Sequence, residues 1–298
     1  MNVDLAVATP AFLDLNFIGL EAVPGPGEER FAGELRRSPG GGAITAVGAA
    51  RLGLSTALVA PLAEDEAGEL IRAVMRSEGV AVADPRGPRT PTTVVMPAGG
   101  ERAMVTVDPG VRARAIDVVA LKPRAVSVSL DQLDLVPEGA RAYVTCGDDD
   151  ARAFSRRLPR GLANVRALIV NQREACALTG AATPVEATEG LGAKTDGTVV
   201  TLGPEGAVAA VDGEILMIED MNAGPAVDPT GAEDLFAAAY AWADLRGADP
   251  RSAVAWARLY SELAMTVPTA TGGAVTESRL LEEGVRRGLE PPPRAQPR

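Results

Sequence analysis

Histidine is absent from this sequence of 298 residues, and its absence excludes more chemistry than any other feature of the composition. Without histidine, neither Ser-His-Asp nor Cys-His catalysis is available, and no metal ion can take an imidazole ligand. Acid–base chemistry must therefore come from aspartate, glutamate, lysine or tyrosine. A metal ion, if one binds, must take mostly oxygen ligands.

Cysteine is scarce as well, because only Cys146 and Cys176 occur. Two cysteines are too few for a disulfide framework, and the sequence does not open with the basic and then apolar segment typical of a signal peptide. We therefore expect two reduced thiols and a cytoplasmic protein. No apolar run approaches the ~18–20 residues that a membrane span requires, which predicts that the chain does not bind within a membrane.

Positive charge is in short supply, since 29 lysines and arginines stand against 40 aspartates and glutamates, for a net charge of −11. This balance argues against binding to nucleic acid or to an anionic membrane surface, because both require basic patches. The apolar fraction of 46% and the charged fraction of 23% are typical of a globular protein.

Predicted strands and helices alternate along most of the chain. Strands are predicted at 3–8, 56–61, 92–96, 102–107, 142–145, 168–170, 198–202 and 207–211, and helices at 40–53, 66–79, 231–246, 250–266 and 276–287. The alternation indicates an α/β fold of three layers, with a mostly parallel sheet flanked by helices. We expect a single domain over 1–290, with a small β accessory from about 15–40 and 86–107 and a disordered tail over 291–298.

Residues 228–234 form the most informative segment, with the sequence Asp-Pro-Thr-Gly-Ala-Glu-Asp just before an alanine-rich helix. A turn of small residues that opens a helix presents backbone N–H groups able to hold an anion. Thr230 and Glu233 fit a capping box, in which the glutamate would satisfy these amides itself. Alternatively, Glu233 points outward and the backbone alone serves the anion. Asp234, in the same first turn, can accept a proton.

This segment resembles the C-terminal signature of the ribokinase-like (PfkB) sugar kinases, usually Asp-Thr-Thr-Gly-Ala-Gly-Asp. The resemblance extends from about residue 3 to 280 and implies the ribokinase-like fold, in which the β accessory is a lid. It further implies that Asp234 is the general base toward an acceptor hydroxyl, and that the amides of Gly231 and Ala232 form the anion hole. Glu233 stands where the family has its second glycine, and it places a negative charge beside the transferred phosphate unless its side chain points outward.

Residues on the nucleotide side resemble two further family motifs. Asn171 and Glu174 match Asn-x-x-Glu, which implies that they organise Mg²⁺ and the phosphates of ATP, largely through water. A strand-end asparagine that caps a helix is the alternative interpretation. The resemblance also implies a nucleotide-binding role for four further residues, Thr201, Gly203, Gly206 and Gly273.

The N-terminal part resembles the family's first signature, usually Gly-Gly-x-x-x-Asn followed by Ala-Arg-Leu-Gly. The resemblance implies that the acceptor is held by four residues, Asp14, Gly41, Gly42 and Thr45, with Asp14 predicted to lie in a loop. Ile44 occupies the place of the asparagine that reads acceptor hydroxyls in the family. Gly100, Glu101 and Arg102 resemble the lid, which often pairs two subunits and so implies a homodimer.

The function that these residues predict is an ATP- and Mg²⁺-dependent phosphotransferase that phosphorylates a hydroxyl of a small sugar, polyol or nucleoside-like acceptor. Because Glu233 and Ile44 depart from the family in both half-sites, a catalytically impaired relative that binds a nucleotide or small ligand as a sensor remains the alternative. A dinucleotide-binding oxidoreductase is disfavoured, since no Gly-x-Gly-x-x-Gly follows the first strand.

Overall fold

Strands and helices alternate in the computed structural model, which describes residues 2–98, 101–219, 229–267 and 269–293. The strands are β1 (Leu5–Val7), β2 (Ala11–Ile18), β3 (Glu34–Gly41), β4 (Thr56–Val59), β5 (Ala81–Ala83), β6 (Thr92–Ala98), β7 (Glu101–Val107), β8 (Ala125–Ser129), β9 (Arg141–Thr145), β10 (Ala167–Asn171), β11 (Gly197–Thr201), β12 (Ala207–Val211) and β13 (Glu214–Ile218). The helices are α1 (Gly42–Arg51), α2 (Glu66–Ser77), α3 (Ala115–Val119), α4 (Asp148–Ala153), α5 (Gln172–Thr179), α6 (Pro184–Gly192), α7 (Ala232–Leu245), α8 (Pro250–Ala264), α9 (Ala270–Gly273) and α10 (Glu277–Arg286).

The larger sheet has nine strands in the order β13-β12-β11-β10-β9-β8-β1-β4-β5. Its strands pair in parallel from β11 to β5, and β12 and β13 add an antiparallel edge. Along β1, Leu5 and Val7 enter a core cluster with α1, α2, α7 and α8, whereas Ala6 enters a second cluster that includes α5 and α6 residues. Because successive side chains of a strand point to opposite faces, helices cover both faces. The predicted three-layer, mostly parallel fold is confirmed.

Strand β8 lies in the centre of this sheet, between β1 and β9, yet its sequence did not predict it. Its sequence over Ala125–Ser129 is Ala-Val-Ser-Val-Ser, and the first four residues are buried. A short run with serines is a weak apolar signal, and burial on both faces of a parallel sheet decides its conformation instead.

The smaller sheet has four strands in the order β3-β2-β6-β7 and draws on the two segments predicted to form the β accessory. Its β6–β7 hairpin was predicted. β2 and β3 overlap the segment 15–40 that was assigned to the β accessory, but their bounds were not predicted, and Asp14 lies on β2 rather than in a loop. Pairing with β3 on one side and β6 on the other fixes this polar segment as a strand. The division into one domain with a lid stays a prediction, and tail residues 294–298, as well as Gly99 and Gly100, lie outside the described residues.

The two faces of the smaller sheet differ in polarity. Cross-strand register places Asp14 opposite both Ser38 and Thr93, and Thr93 opposite Thr106, so that a polar row crosses one face. The other face is mostly apolar, although it includes Arg37 opposite Leu15, and it is solvent-exposed at its edge strands. Its exposed side chains include Leu35 at 49%, Val105 at 61% and Val107 at 54%.

Helix α7 is anchored to the larger sheet near its C-terminal end through Asp244, whose side chain is 3% exposed. Its carboxylate accepts hydrogen bonds from Arg141 (2.8 Å), from Arg166 (2.6 Å) and from the Tyr143 hydroxyl (2.6 Å). Burial alone would raise the pKa of Asp244, but the bonds from Arg166 and Tyr143 and the charges of both arginines hold it below its ordinary value. The helix is thereby tied to β9 and to the residue that precedes β10.

Cys146 and Cys176 are free, as the composition predicts. Within the described part of the chain, no helix combines the length and the apolar character that crossing a bilayer demands.

We predict that Asp244→Ala lowers the free energy of unfolding by roughly 3 kcal/mol, because it leaves two partly buried guanidinium groups and a buried hydroxyl without their acceptor. Urea unfolding measures this change. Since the folded pKa of Asp244 is depressed, the stabilisation is complete above the unfolded pKa and fades as the pH falls below about 4. Tyr143→Phe, which removes one donor only, should cost about 1 kcal/mol; equal losses in the two variants would contradict a charge-based anchor.

Candidate active site

The predicted site residues gather at the carboxyl-terminal edge of the larger sheet. Asn171 ends β10, and its register partner Thr201 ends β11. Asp234 lies in the first turn of α7 and is hydrogen-bonded to Thr45 of α1. Asp14, on β2, lies close enough for its charge to influence Asp234. The edge beyond the strand ends is where open α/β sheets generally bind ligands.

The start of α7 is set by Gly231, the residue preceding the first helical turn. Its φ of +74° is left-handed, and a Cβ on it would lie 2.3 Å from the Ala270 Cβ and 2.8 Å from the Ile44 Cδ1. Position 231 therefore requires glycine both for its backbone and for space. The capping box predicted for Thr230 and Glu233 is wrong, because the helix begins after Gly231 and has no side-chain cap.

Asp234 titrates near neutrality. Burial, and after it the negative charge of Glu233, raise its pKa to about 7, and Asp14 adds to the rise. The hydrogen bond that Thr45 donates to Asp234 Oδ1 (3.2 Å) and the positive charge of Arg102 act in the opposite direction. A carboxylate with this pKa can take up a proton from a reacting group at physiological pH and release it again.

A capping box does exist in the site, at the start of α5. Asn171 Oδ1 accepts a hydrogen bond from the backbone N–H of Glu174 (3.0 Å), and Glu174 Oε2 accepts one from the backbone N–H of Asn171 (3.0 Å). The capping interpretation of this motif is thus realised. The Glu174 side chain is 4% exposed, and its burial, followed by the charge of Glu233, raises its pKa to about 8.

Glu233 neither caps α7 nor stands free of the site. Its Oε1 accepts a hydrogen bond from Asn171 Nδ2 (3.0 Å), across 62 residues of sequence. The bond joins the first turn of α7 to the first residue of the Asn-x-x-Glu motif. The local sequence pattern could not predict this bond, since it depends on the fold bringing the end of β10 beside the first turn of α7.

The glycines at the acceptor side are explained by close backbone approach. A Cβ on Gly40 would lie 2.3 Å from the Asp14 carboxylate, and a Cβ on Gly41 or Gly42 would lie 2.5 or 2.4 Å from carbonyl oxygens that precede β2. Asp14 itself is 6% exposed. Packing accounts for these glycines whether or not a ligand also lies against them.

Asn16 and Ser38 are buried polar residues that the sequence did not single out. The Asn16 side chain is 1% exposed, and its Nδ2 donates to Ser38 Oγ (3.1 Å). Asn16 follows Asp14 by two positions on β2, so both side chains lie on the polar face of the smaller sheet. Alternation from Asp14 would have revealed Asn16 if the segment had been identified as a strand.

The residues predicted to bind the nucleotide differ in their surroundings. A Cβ on Gly206 would lie 2.1 Å from the Ile218 carbonyl oxygen, and one on Gly273 would lie 2.2 Å from the Ala264 carbonyl oxygen, so both have a packing role. Gly203, with a φ of +62°, has open space where a side chain would be. Thr201 is partly buried beside Asn171.

Arg51, the last residue of α1, holds α9 in place. Its Nη1 donates to the carbonyl oxygens of Thr271 (2.8 Å) and Ala274 (2.5 Å), and its guanidinium also pairs with Glu78 (2.7 Å). This clamp fixes the segment that contains Gly273 and that lies against Gly231. The signal for it was present in the sequence, because an arginine at the end of a glycine- and alanine-rich helix has few local partners.

Comparison with known proteins adds a family and a fold. The sequence model of the pfkB family carbohydrate kinases matches residues 15–277. A comparison with curated proteins finds no significant match.

Several solved structures superpose on nearly the whole chain. Ribokinase from Thermotoga maritima gives a TM-score of 0.80 at 20% identity, covering 94% of this chain and 99% of that one. Ribokinase from Arabidopsis thaliana, solved with ribose and ATP, gives 0.77 at 23%, covering 95% and 99%. Adenosine kinase from Sinorhizobium meliloti gives 0.71 at 20%, covering 91% and 96%. At these identities the likeness establishes a shared fold.

Proposed function

Because the chain belongs to the pfkB family of carbohydrate kinases, we propose that it transfers the γ-phosphoryl group of ATP to a hydroxyl of a small sugar, polyol or nucleoside-like acceptor. The observation that carries this proposal is the Asp234 carboxylate, held in the first turn of α7 with a pKa of about 7. Similar folds are found in a ribokinase solved with ribose and ATP and in an adenosine kinase.

Asp234 acts as the general base in this proposal. The acceptor O–H gives its proton to the carboxylate while the oxygen forms a bond to the γ-phosphorus, and the bond from that phosphorus to the leaving oxygen of ADP breaks. Gly231 and Ala232 supply backbone N–H groups toward the phosphoryl charge. The Ala232 amide now bonds the Pro229 carbonyl oxygen over 3.3 Å, a long and therefore weak contact with which a phosphate oxygen can compete.

Mg²⁺ fits the oxygen donors of the Asn171 and Glu174 region. Within the described ranges, no three acidic or thiol side chains are grouped to hold a metal directly. The few oxygen donors of Asn171 and Glu174 suit a hard ion that keeps its water, as Mg²⁺ does with phosphate ligands. When bound, the ion would neutralise phosphate charge. Thr201, Gly203, Gly206 and Gly273 border the nucleotide in this proposal, with Gly203 offering open space for close approach.

The acceptor lies, in this proposal, between Asp14, Gly41 and Gly42. Asp14 and Asn16 belong to the polar face of the smaller sheet, which supports recognition of a ligand rich in hydroxyl groups. Ile44 packs beside Gly231, and its apolar side chain has no group that could hydrogen-bond to an acceptor. Hydroxyl recognition therefore falls to the smaller sheet.

The impaired-relative alternative rests on Glu233. Its carboxylate is held beside the α7 turn by Asn171, where it would face the incoming phosphate. At a separation of about 5 Å and an effective dielectric constant near 20, two like charges repel by roughly 3 kcal/mol. A penalty of that size corresponds to about two decades of rate.

We predict that ADP release from Mg-ATP depends on an acceptor found in a panel of neutral sugars, polyols and nucleosides, and that Asp234→Asn abolishes it. Because the base must be ionised, kcat/KM should fall about tenfold per pH unit below pH 7, following the Asp234 pKa of about 7. A coupled assay of ADP measures both. Nucleotide binding by the native chain and by Asp234→Asn, without turnover on any acceptor, would instead favour the sensor alternative.

We predict that Glu233→Gly raises the phosphoryl-transfer rate by up to about two decades, since it removes the charge that faces the phosphate. Glycine in a helical turn should lower stability by about 1 kcal/mol, through backbone entropy rather than loss of a cap. Glu233→Gln is the matched control, because it keeps an acceptor for Asn171 and removes only the charge. Equal rates in all three proteins would show that Glu233 does not oppose the phosphate.

We further propose that a second copy of this chain covers the apolar face of the smaller sheet, where Leu15, Val94 and Val105 lie side by side in register. Val105→Asp is predicted to convert a dimer to a monomer, measured by light scattering after gel filtration. Ile116→Asp, at an exposed apolar position on α3, is the control that should leave the dimer intact. A wild-type chain that is monomeric at every concentration would refute this pairing.

A further inference from the structure

Thr45 makes a contact that its place in the sequence does not suggest. Its side chain is 2% exposed in the first turn of α1, and its hydroxyl donates to Asp234 Oδ1 at 3.2 Å, across 189 residues. A helical threonine often returns its hydroxyl to the carbonyl one turn earlier. Thr188 on α6 does so, bonding the Pro184 carbonyl oxygen at 2.7 Å. The Thr45 hydroxyl instead reaches a different helix.

The neighbouring residue contacts the same turn. Ile44 Cδ1 lies 2.8 Å from the position that a Cβ on Gly231 would occupy, and Ile44 is 2% exposed. Two successive residues of α1 therefore meet two parts of the α7 turn, its glycine and its carboxylate. This first turn of α1 acts as a support for the α7 turn.

We propose that Thr45 is a positioning residue that orients the Asp234 carboxylate, and that it does not bind the acceptor. A donor on Oδ1 fixes the rotation of the carboxylate and leaves Oδ2 to receive a proton. The catalytic part of this inference rests on the proposed function, in which Asp234 is the base. The hydrogen bond and its effect on Asp234 do not.

The charges around Asp234 make this bond consequential. Glu233 on its own helix and Asp14 on β2 disfavour the ionised carboxylate, whereas Arg102 on β7 favours it. Thr45 on α1 adds a neutral donor to the ionised form. Its loss should therefore raise the pKa of Asp234 above about 7 and leave less of the base ionised at neutral pH.

The first test measures Asp234 directly and needs no acceptor. Chain labelled with ¹³C at aspartate carboxyl groups is titrated by NMR, and the Asp234 signal is identified by its loss in Asp234→Asn. Thr45→Val should move the titration upward by about 1 pH unit, as expected for loss of a hydrogen bond to a charged group. Thr45→Ser, which keeps the hydroxyl, and Thr188→Val, a buried helical threonine elsewhere, should titrate as the wild type does.

The second test separates positioning from binding. In Thr45→Val the acid limb of the kcat profile should shift upward by about 1 pH unit while KM for the acceptor stays unchanged, and Thr45→Ser should restore the profile. A raised KM at every pH, with an unshifted Asp234 titration, would overturn the proposal. Absence of turnover in the wild type would count against the proposed function, and the carboxyl titration would then decide the role of Thr45 by itself.

Discussion

The whole site depends on the close packing of three segments about Gly231. Ile44 of α1 and Ala270 of α9 leave no room for a side chain there, and the left-handed backbone turns the chain into α7 at that point. The two residues after Ala232 are consequently fixed in direction, one toward Asn171 and one toward Thr45. At the far end, Asp244 holds the same helix to the larger sheet, so the helix is fixed at both ends.

Negative charge is concentrated where the site opens. Glu174, Glu233, Asp234 and Asp14 come from three different elements, and each of the first three perturbs or is perturbed by another. Burial and mutual repulsion together raise the pKa of Glu174 and Asp234 toward neutrality. Such an arrangement opposes folding, because it places like charges in a region of low dielectric. It suits a reaction in which protons and cations must be taken up.

The sequence predicted the layered α/β fold because short apolar runs alternate with segments of helical periodicity along the chain. It singled out Asp234 because a turn of small residues before a helix presents backbone N–H groups that can hold an anion. It misplaced the capping box, since Thr230 and Asn171 both precede a glutamate by three residues and only the conformation of Gly231 distinguishes them. It missed β8 and the bounds of β2, because the conformation of both comes from neighbouring strands rather than from their own residues.

Asn171 uses both ends of one amide, since its oxygen caps α5 and its nitrogen holds Glu233. Only a group that accepts and donates at once can do this, and aspartate, serine and threonine cannot at that reach. Aspartate would keep the cap but oppose Glu233. The family signature has glycine at position 233 and still keeps the asparagine, so the cap alone is enough to retain Asn171. Glu233 thus depends on Asn171 in evolution, whereas Asn171 does not depend on Glu233.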